Sequence, residues 1–237
     1  MSNIKGIGDK TGNWKNNVRL VKALEPITVL PKKVGTIKQV VSDFYGNITF
    51  LSHKGHVYQS SSKSYTSTLK AVQNLPPIKS IHSGYHHLFA MTKGSDPKIY
   101  GWGFNNYFQL GLPMERTYDK PTLIPYSKKI QIHEIHPSGY ASLFLDTKEH
   151  ILYGCGNNTH GQTAIKNSSS KVKTIKRAYK NVSKVFTGHA AHSYLIKSDG
   201  RLYAFGCNFG LFFIFESFFL LLFFLFGWIP KFFLFSC

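Results

Sequence analysis

The 237-residue sequence predicts an all-β fold: a partial β-propeller of about four blades, each a four-stranded sheet, followed by a hydrophobic C-terminal tail. Three observations predict it. The stretch IYGWGFNNYFQLGL from Ile99 is echoed by ILYGCGNNTHGQTAI from Ile151 and by RLYAFGCN from Arg201. Upstream of each lies a second shared segment, GYHHLFAM from Gly84, GYASLFLD from Gly139 and HAAHSYLI from His189. A unit therefore reads glycine, apolar strand, tight turn, second strand and Gly-x-Gly segment, and two strands around a glycine turn are a hairpin signal. The third observation is the period: Gly103, Gly156 and Gly206 stand 53 and 50 residues apart. Self-similar units of ~50 residues holding several strands each point to propeller blades.

In chain order, residues 1–35 read as a weak N-terminal partial blade in which Gly8 stands opposite Gly103, with a linker strand limited by Pro26 and Pro31. Residues 36–210 carry the repeats. A hairpin is expected from Thr36 to Ser60 around His53-Lys54-Gly55, matched in the last copy by Ser198-Asp199-Gly200. Pro76-Pro77 leads into the next unit. In this register Asn47, His87, Ser142 and His192 are equivalent, and Trp102, Cys155 and Phe205 share a position expected to be buried within each blade. Residues 114–130 and 166–179 read as polar inter-strand excursions, the second being the most basic run of the chain.

From Leu211 the character changes to LFFIFESFFLLLFFLFGWIPKFFLFSC. Residues 211–237 are long enough to cross a bilayer at ~20 residues per span, with Trp228 and Lys231 at an interface. A second reading is a buried helix, disfavoured because every face is apolar. A third is translated non-coding or frameshifted sequence, since Phe and Leu codons are T-rich. The break falls inside a repeat, which favours the third over a membrane anchor.

Composition excludes several function classes. Cys155, Cys207 and Cys237 fit neither a disulfide framework nor a zinc site, and a reducing compartment follows. No apolar leader opens the chain. The Asn-x-Ser/Thr sequons at Asn47, Asn157, Asn167 and Asn181 are expected by chance in so Asn- and Ser-rich a chain. Histidines recur as His82, His86 and His87, then His133 and His136, then His189 and His192, but repeat-equivalent positions fall in different blades and no carboxylate completes a ligand set. No metal or cofactor is expected. No nucleophile elbow is present, and the Gly-x-Gly copies lack the Gly-Lys-Ser/Thr of a phosphate loop. Charge alone exceeds what the fold needs: 29 Lys and Arg against 11 Asp and Glu give a net charge of +18. That suits an anionic partner such as nucleic acid or chromatin. The candidate polyanion-binding residues are Lys166, Lys171, Lys173, Lys176, Arg177 and Lys180, pictured as a mobile basic loop.

These motifs resemble the regulator-of-chromosome-condensation repeat, whose pattern is a strand, Trp-Gly-x-Asn-x-x-Gly-Gln-Leu-Gly, a long linker and Gly-x-x-His-Ser-x-Ala-Leu. Trp102, Gly103, Asn105, Gln109, Leu110 and Gly111 match, as do Gly156, Asn158, Gly161 and Gln162, then Gly206 and Asn208. The upstream half is matched by Gly84, His87, Ala90 and Met91 and by His192, Ser193, Leu195 and Ile196. Phe108 and His189 stand where glycine is expected, and Ser142 where histidine is. The resemblance implies a seven-bladed propeller, so about four blades here imply a truncated array. It also implies a non-enzymatic protein-interaction module in the cytoplasm or nucleus, or at a membrane if the tail inserts. The alternative it implies is a nucleotide-exchange factor or regulator of a Ran-type small GTPase, associated with chromatin.

Overall fold

The structure is a computed structural model that describes residues 34–60, 69–127, 129–166, 169–188, 192–207 and 233–234. The expectations for an N-terminal partial blade and for the tail therefore fall almost wholly outside the described residues. Four four-stranded sheets form a four-bladed array. The first blade is β1 (Ile37–Ser42), β2 (Ile48–Ser52), β3 (Val57–Ser60) and β4 (Leu69–Ala71). The second is β5 (Ile78–Ser83), β6 (His87–Thr92), β7 (Ile99–Gly103) and β8 (Tyr118–Leu123). The third is β9 (Glu134–Ser138), β10 (Ala141–Asp146), β11 (Ile151–Asn157) and β12 (Lys171–Lys180). The fourth is β13 (Val182–Thr187), β14 (His192–Lys197), β15 (Leu202–Gly206) and β16 (Phe233–Leu234), the last pairing parallel to β15 where all other neighbours are antiparallel. Both polar excursions read from the sequence thus contain the outermost strand of a blade, β8 and β12.

The first strands of successive blades, β1, β5, β9 and β13, lie against one another and form the inner rim. The Gln39 amide ties two of them, donating to Ile81 O at 2.6 Å and accepting from Ile81 N at 3.0 Å. Inner and outer strands are sheet edges, which is where proline is tolerated: Pro137 lies in β9 and Pro121 in β8.

Apolar side chains gather into three clusters, and each lies between blades. Leu51 and Val57 meet Ile81, Leu88, Ala90 and Trp102; Phe89, Met91 and Ile99 meet Phe144, Tyr153 and Cys155; Leu143, Leu145 and Leu152 meet Val185, Leu195 and Phe205. A middle strand is consequently covered on both faces, which is why β6 and β10 read as unbroken apolar runs and are buried throughout. Trp102, Cys155 and Phe205 are buried as expected, at 4%, 0% and 8% exposure. They share clusters with apolar residues of their own blade and also with those of the preceding blade.

Strand pairing also corrects the register by one residue. His87 faces Gly103 and His192 faces Gly206, but in the third blade Ala141 faces Gly156. Ser142 is paired with Cys155 and so matches Leu88 and Ser193. A one-residue slip turns a side chain to the opposite face, so Ser142 looks back at the second blade while His87 looks forward at the third.

Candidate functional site

That opposed facing joins two blades. The fully buried His87 imidazole lies with Nε2 2.9 Å from Ser142 Oγ, and Ser142 Oγ donates to Gln109 O at 2.7 Å. This contact crosses a blade boundary. Burial lowers the His87 pKa to about 3, reinforced by His86, so the ring is neutral at neutral pH. Gly84 and Gly188 leave room for the rings that follow: a Cβ on Gly188 would sit 2.7 Å from His192 Nε2, and one on Gly84 would overlap His87 Cε1.

The Gly-x-Asn segments are turns held by their asparagines. Asn105 Nδ2 donates to Leu112 O at 3.1 Å and Met114 O at 2.7 Å, while its Oδ1 accepts from Leu110 N at 2.8 Å. Asn158 repeats the scheme, donating to Ile165 O at 3.2 Å and accepting from Thr163 N at 3.1 Å and Thr163 Oγ1 at 2.6 Å. Gly103 and Gly156 precede these turns with φ of +96° and +110°, and a Cβ on Gly156 would lie 2.6 Å from Tyr140 O. Only glycine fits such a backbone approach. Gly161 and Gly206 also have positive φ, and so does Phe108 (φ 62°), where glycine was expected. The repeat residues singled out by sequence are therefore spent on the fold.

The basic run is a strand where a loop was expected. β12 pairs with β11 through two register shifts, and such irregularities break simple alternation. Val172 and Ile175 turn inward while Lys173, Lys176, Arg177 and Lys180 stay exposed. Valine, threonine and isoleucine suit a pleated edge, and charges on an edge strand block pairing with other chains. Lys171 is not free: its Nζ lies 2.9 Å from Glu115 Oε2 and 3.1 Å from Asn106 O. Lys166 lies in the loop before the strand.

At the same end of the propeller the loops between first and second strands carry rings that sequence reasoning did not single out. Phe44 and Tyr45 follow β1, Tyr85 and His86 follow β5, and Tyr140 follows β9, with Phe104 and Tyr107 beside them from the turn after β7. The signal was present in the repeated Gly-Tyr of Gly84-Tyr85 and Gly139-Tyr140, a large aromatic at a loop tip.

Among the described residues no group of three or more His, Cys, Asp or Glu is placed to hold a metal ion. The inner-rim histidines His82 and His136 are held toward the neutral form by burial, His82 at about 4. Burial likewise pushes the Cys155 thiol up, as befits a packing residue. No helix of the described residues is long and apolar enough to cross a membrane.

Comparison with known proteins agrees with this architecture. The regulator of chromosome condensation (RCC1) repeat matches residues 96–144. Among solved structures, the fold resembles yeast RCC1 (Prp20), solved bound to Kap60, with a TM-score of 0.63 at 21% identity, covering 75% of this chain and 45% of that one. A second structure of Prp20p from Saccharomyces cerevisiae, a protein with binding properties toward Gsp1p and histones, gives 0.61 at 21% identity over 72% and 45%. Human WBSCR16 gives 0.62 at 15% identity over 72% and 47%. By sequence the chain is 26% identical over 134 residues to the probable E3 ubiquitin-protein ligase HERC4 of Rattus norvegicus and 24% identical over 148 residues to the serine/threonine-protein kinase Nek9 of Mus musculus. Those matches cover 55% and 56% of this chain but only 12% and 15% of the relatives. Four sheets with cores between them, asparagine-held Gly-x-Asn turns and a matching repeat over β7 to β10 give one assignment: residues 96–144 match a regulator-of-chromosome-condensation repeat, and the chain folds as four blades like those of such a propeller.

Proposed function

We propose that the chain is a non-enzymatic interaction module that holds another protein on its exposed loops and outer strands. The observation that carries this reading is where the chemistry-bearing repeat residues go. His87, Asn105 and Asn158 are all engaged within the fold, which leaves the surface for function. More than half of this chain matches a small part of a ligase and a small part of a kinase, which share no reaction, and this supports a binding role. Fold alone does not carry an activity. The test is capture by the full chain of a partner that is lost on substitution of exposed loop residues and kept in a variant altered elsewhere on the surface.

The alternative reading is regulation of a small GTPase, cytoplasmic or nuclear, supported by likeness to Prp20p, a protein with binding properties toward Gsp1p and histones. Nucleotide release from a panel of small GTPases discriminates the two: the module reading expects no acceleration by the full chain. We also propose contact with a polyanion through Lys166, Lys171, Lys173, Lys176, Arg177 and Lys180, supported by the run of exposed cations along β12. Affinity for mixed-sequence duplex should fall steeply with salt, the slope shrinking by about one unit per cation removed. Salt-independent binding would reduce the cations to edge protection. Limited proteolysis tests the proposed division into 1–35, 36–210 and 211–237, with 36–210 expected to survive as one fragment.

A further inference from the structure

One end of the propeller presents a continuous surface of aromatic rings drawn from three blades. Tyr45 lies parallel to His86 with ring centres 4.0 Å apart and planes at 15°. Phe44 meets Tyr85 at 4.7 Å, Tyr85 meets Tyr140 at 5.3 Å, and Tyr140 meets Tyr107 at 5.0 Å. Phe44 and Tyr45 are 59% and 53% exposed, far more than side chains of their size in the blade cores. Contiguous exposed patches of this kind mark binding surfaces.

The backbone beneath the rings is stitched from blade to blade. Phe44 N donates to Tyr85 O at 3.0 Å and Tyr85 N to Gly139 O at 3.3 Å, and within the second blade Phe104 N donates to His86 O at 2.7 Å. The platform is therefore held in shape before anything binds, which lowers the ordering cost of an encounter.

Electrostatics select the occupant. The chain carries a net +18. At the edge of the rings, Lys171 Nζ lies 5.4 Å from the Tyr107 ring centre and Lys173 Nζ 5.4 Å from that of Phe108. The nearby acids are engaged: Asp43 accepts from Tyr45 N, Asn47 N and Asn47 Nδ2, and Glu115 pairs with Lys171. Ring faces beside cations suit unpaired bases and phosphates together, because every base has a face to stack on. A duplex hides those faces and can offer only its phosphates.

We propose that this aromatic end binds single-stranded nucleic acid, with bases against Tyr45, Tyr85, His86 and Tyr140 and the phosphate backbone toward Lys171 and Lys173. This goes beyond the protein-interaction reading and does not depend on it. It differs from the duplex contact proposed for β12 in requiring bases.

The test is fluorescence anisotropy of the full chain with labelled oligothymidylate and oligouridylate. The comparison arms are an abasic strand and a duplex of the same length, with polyglutamate as competitor. The expected result is tight binding of both single strands at low salt, with the abasic strand and the duplex at least about tenfold weaker. Tyr45→Ala and Tyr85→Ala should each weaken single-strand binding by about fivefold or more, the range for loss of one stacked base. The thermal transition should be kept by Tyr45→Ala, whose ring is exposed. Lys173→Ala should lower affinity for the base-bearing and abasic strands by the same factor. Equal affinity for the abasic strand or the duplex, no effect of Tyr45→Ala, displacement by polyglutamate as effective as by oligothymidylate, or no binding at low salt would each overturn the proposal.

Discussion

The strands β6 and β14 occupy the same place in two blades and have been given different surroundings. In β6, HLFAMT, all six residues are buried. In β14, HSYLIK, burial alternates: Ser193 and Leu195 are buried, while His192, Tyr194 and Ile196 are only half-buried. The covered residues of β14 face the third blade. The half-covered ones correspond to His87, Phe89 and Met91, which in β6 face a following blade. The difference teaches that a blade of this array is not a self-contained unit. Its core is shared with its neighbours, and a strand is fully buried where described neighbours cover both of its faces.

The largest effect should come from truncating the same position in both strands. Phe89→Ala should cost about 3–5 kcal/mol, the range for a fully buried aromatic, read from the shift in denaturant midpoint. Tyr194→Ala should cost no more than about 1 kcal/mol, because its ring is not enclosed. Trp102→Ala, at the boundary of the first and second blades, belongs with Phe89. Equal losses at Phe89 and Tyr194 would break the comparison.

A second effect separates the blades by pH. His87 is held neutral, with its pKa lowered to about 3 from 6.5 by burial first and by His86 second. The unfolded chain takes up the proton near 6.5 and the folded chain does not. Stability is therefore complete above about pH 6.5 and declines as pH falls toward 3. The loss is on the order of a few kcal/mol, since one pKa unit is worth ~1.4 kcal/mol. His82, lowered to about 4 by burial and by His136, adds to it in the same direction. His87→Gln should flatten the pH dependence of the denaturant midpoint over that window.

The smallest effect concerns the two turns. Phe108 (φ 62°) and Gly161 (φ 74°) are equivalent, and so are Gly111 (φ 68°) and Ala164 (φ 60°). Each turn thus has one glycine and one non-glycine residue in the left-handed region, at swapped positions. Ala164→Gly should stabilise by up to ~1 kcal/mol by removing strain, partly offset by the loss of a buried methyl. Thermal unfolding checks the sign.

Much of the fold was legible because the repeat is local. The hairpins around His53-Lys54-Gly55 and Ser198-Asp199-Gly200, the Gly-x-Asn turns and the burial of Trp102, Cys155 and Phe205 all follow from patterns within a dozen residues. What was not legible depends on the neighbouring blade. Ser142 aligns with His87 by residue count, but strand pairing shifts it by one and turns it to the other face. Residues 171–180 looked like a basic loop because cations dominate their composition. They form a strand because β11 supplies an edge and two irregular pairings let Lys173, Thr174, Lys176 and Arg177 all remain outside. The aromatic end escaped notice because its rings come from loops far apart in the chain.

The claim that blades share their cores and polar contacts is tested most directly by a double-mutant cycle across one boundary. His87→Phe and Ser142→Ala are made singly and together, and unfolding free energies are measured at neutral pH. The His87 Nε2 to Ser142 Oγ contact of 2.9 Å predicts a coupling of about 0.5–3 kcal/mol between the two substitutions. Losses that add to within ~0.3 kcal/mol would contradict it, because independent sites in separate blades are what additivity means.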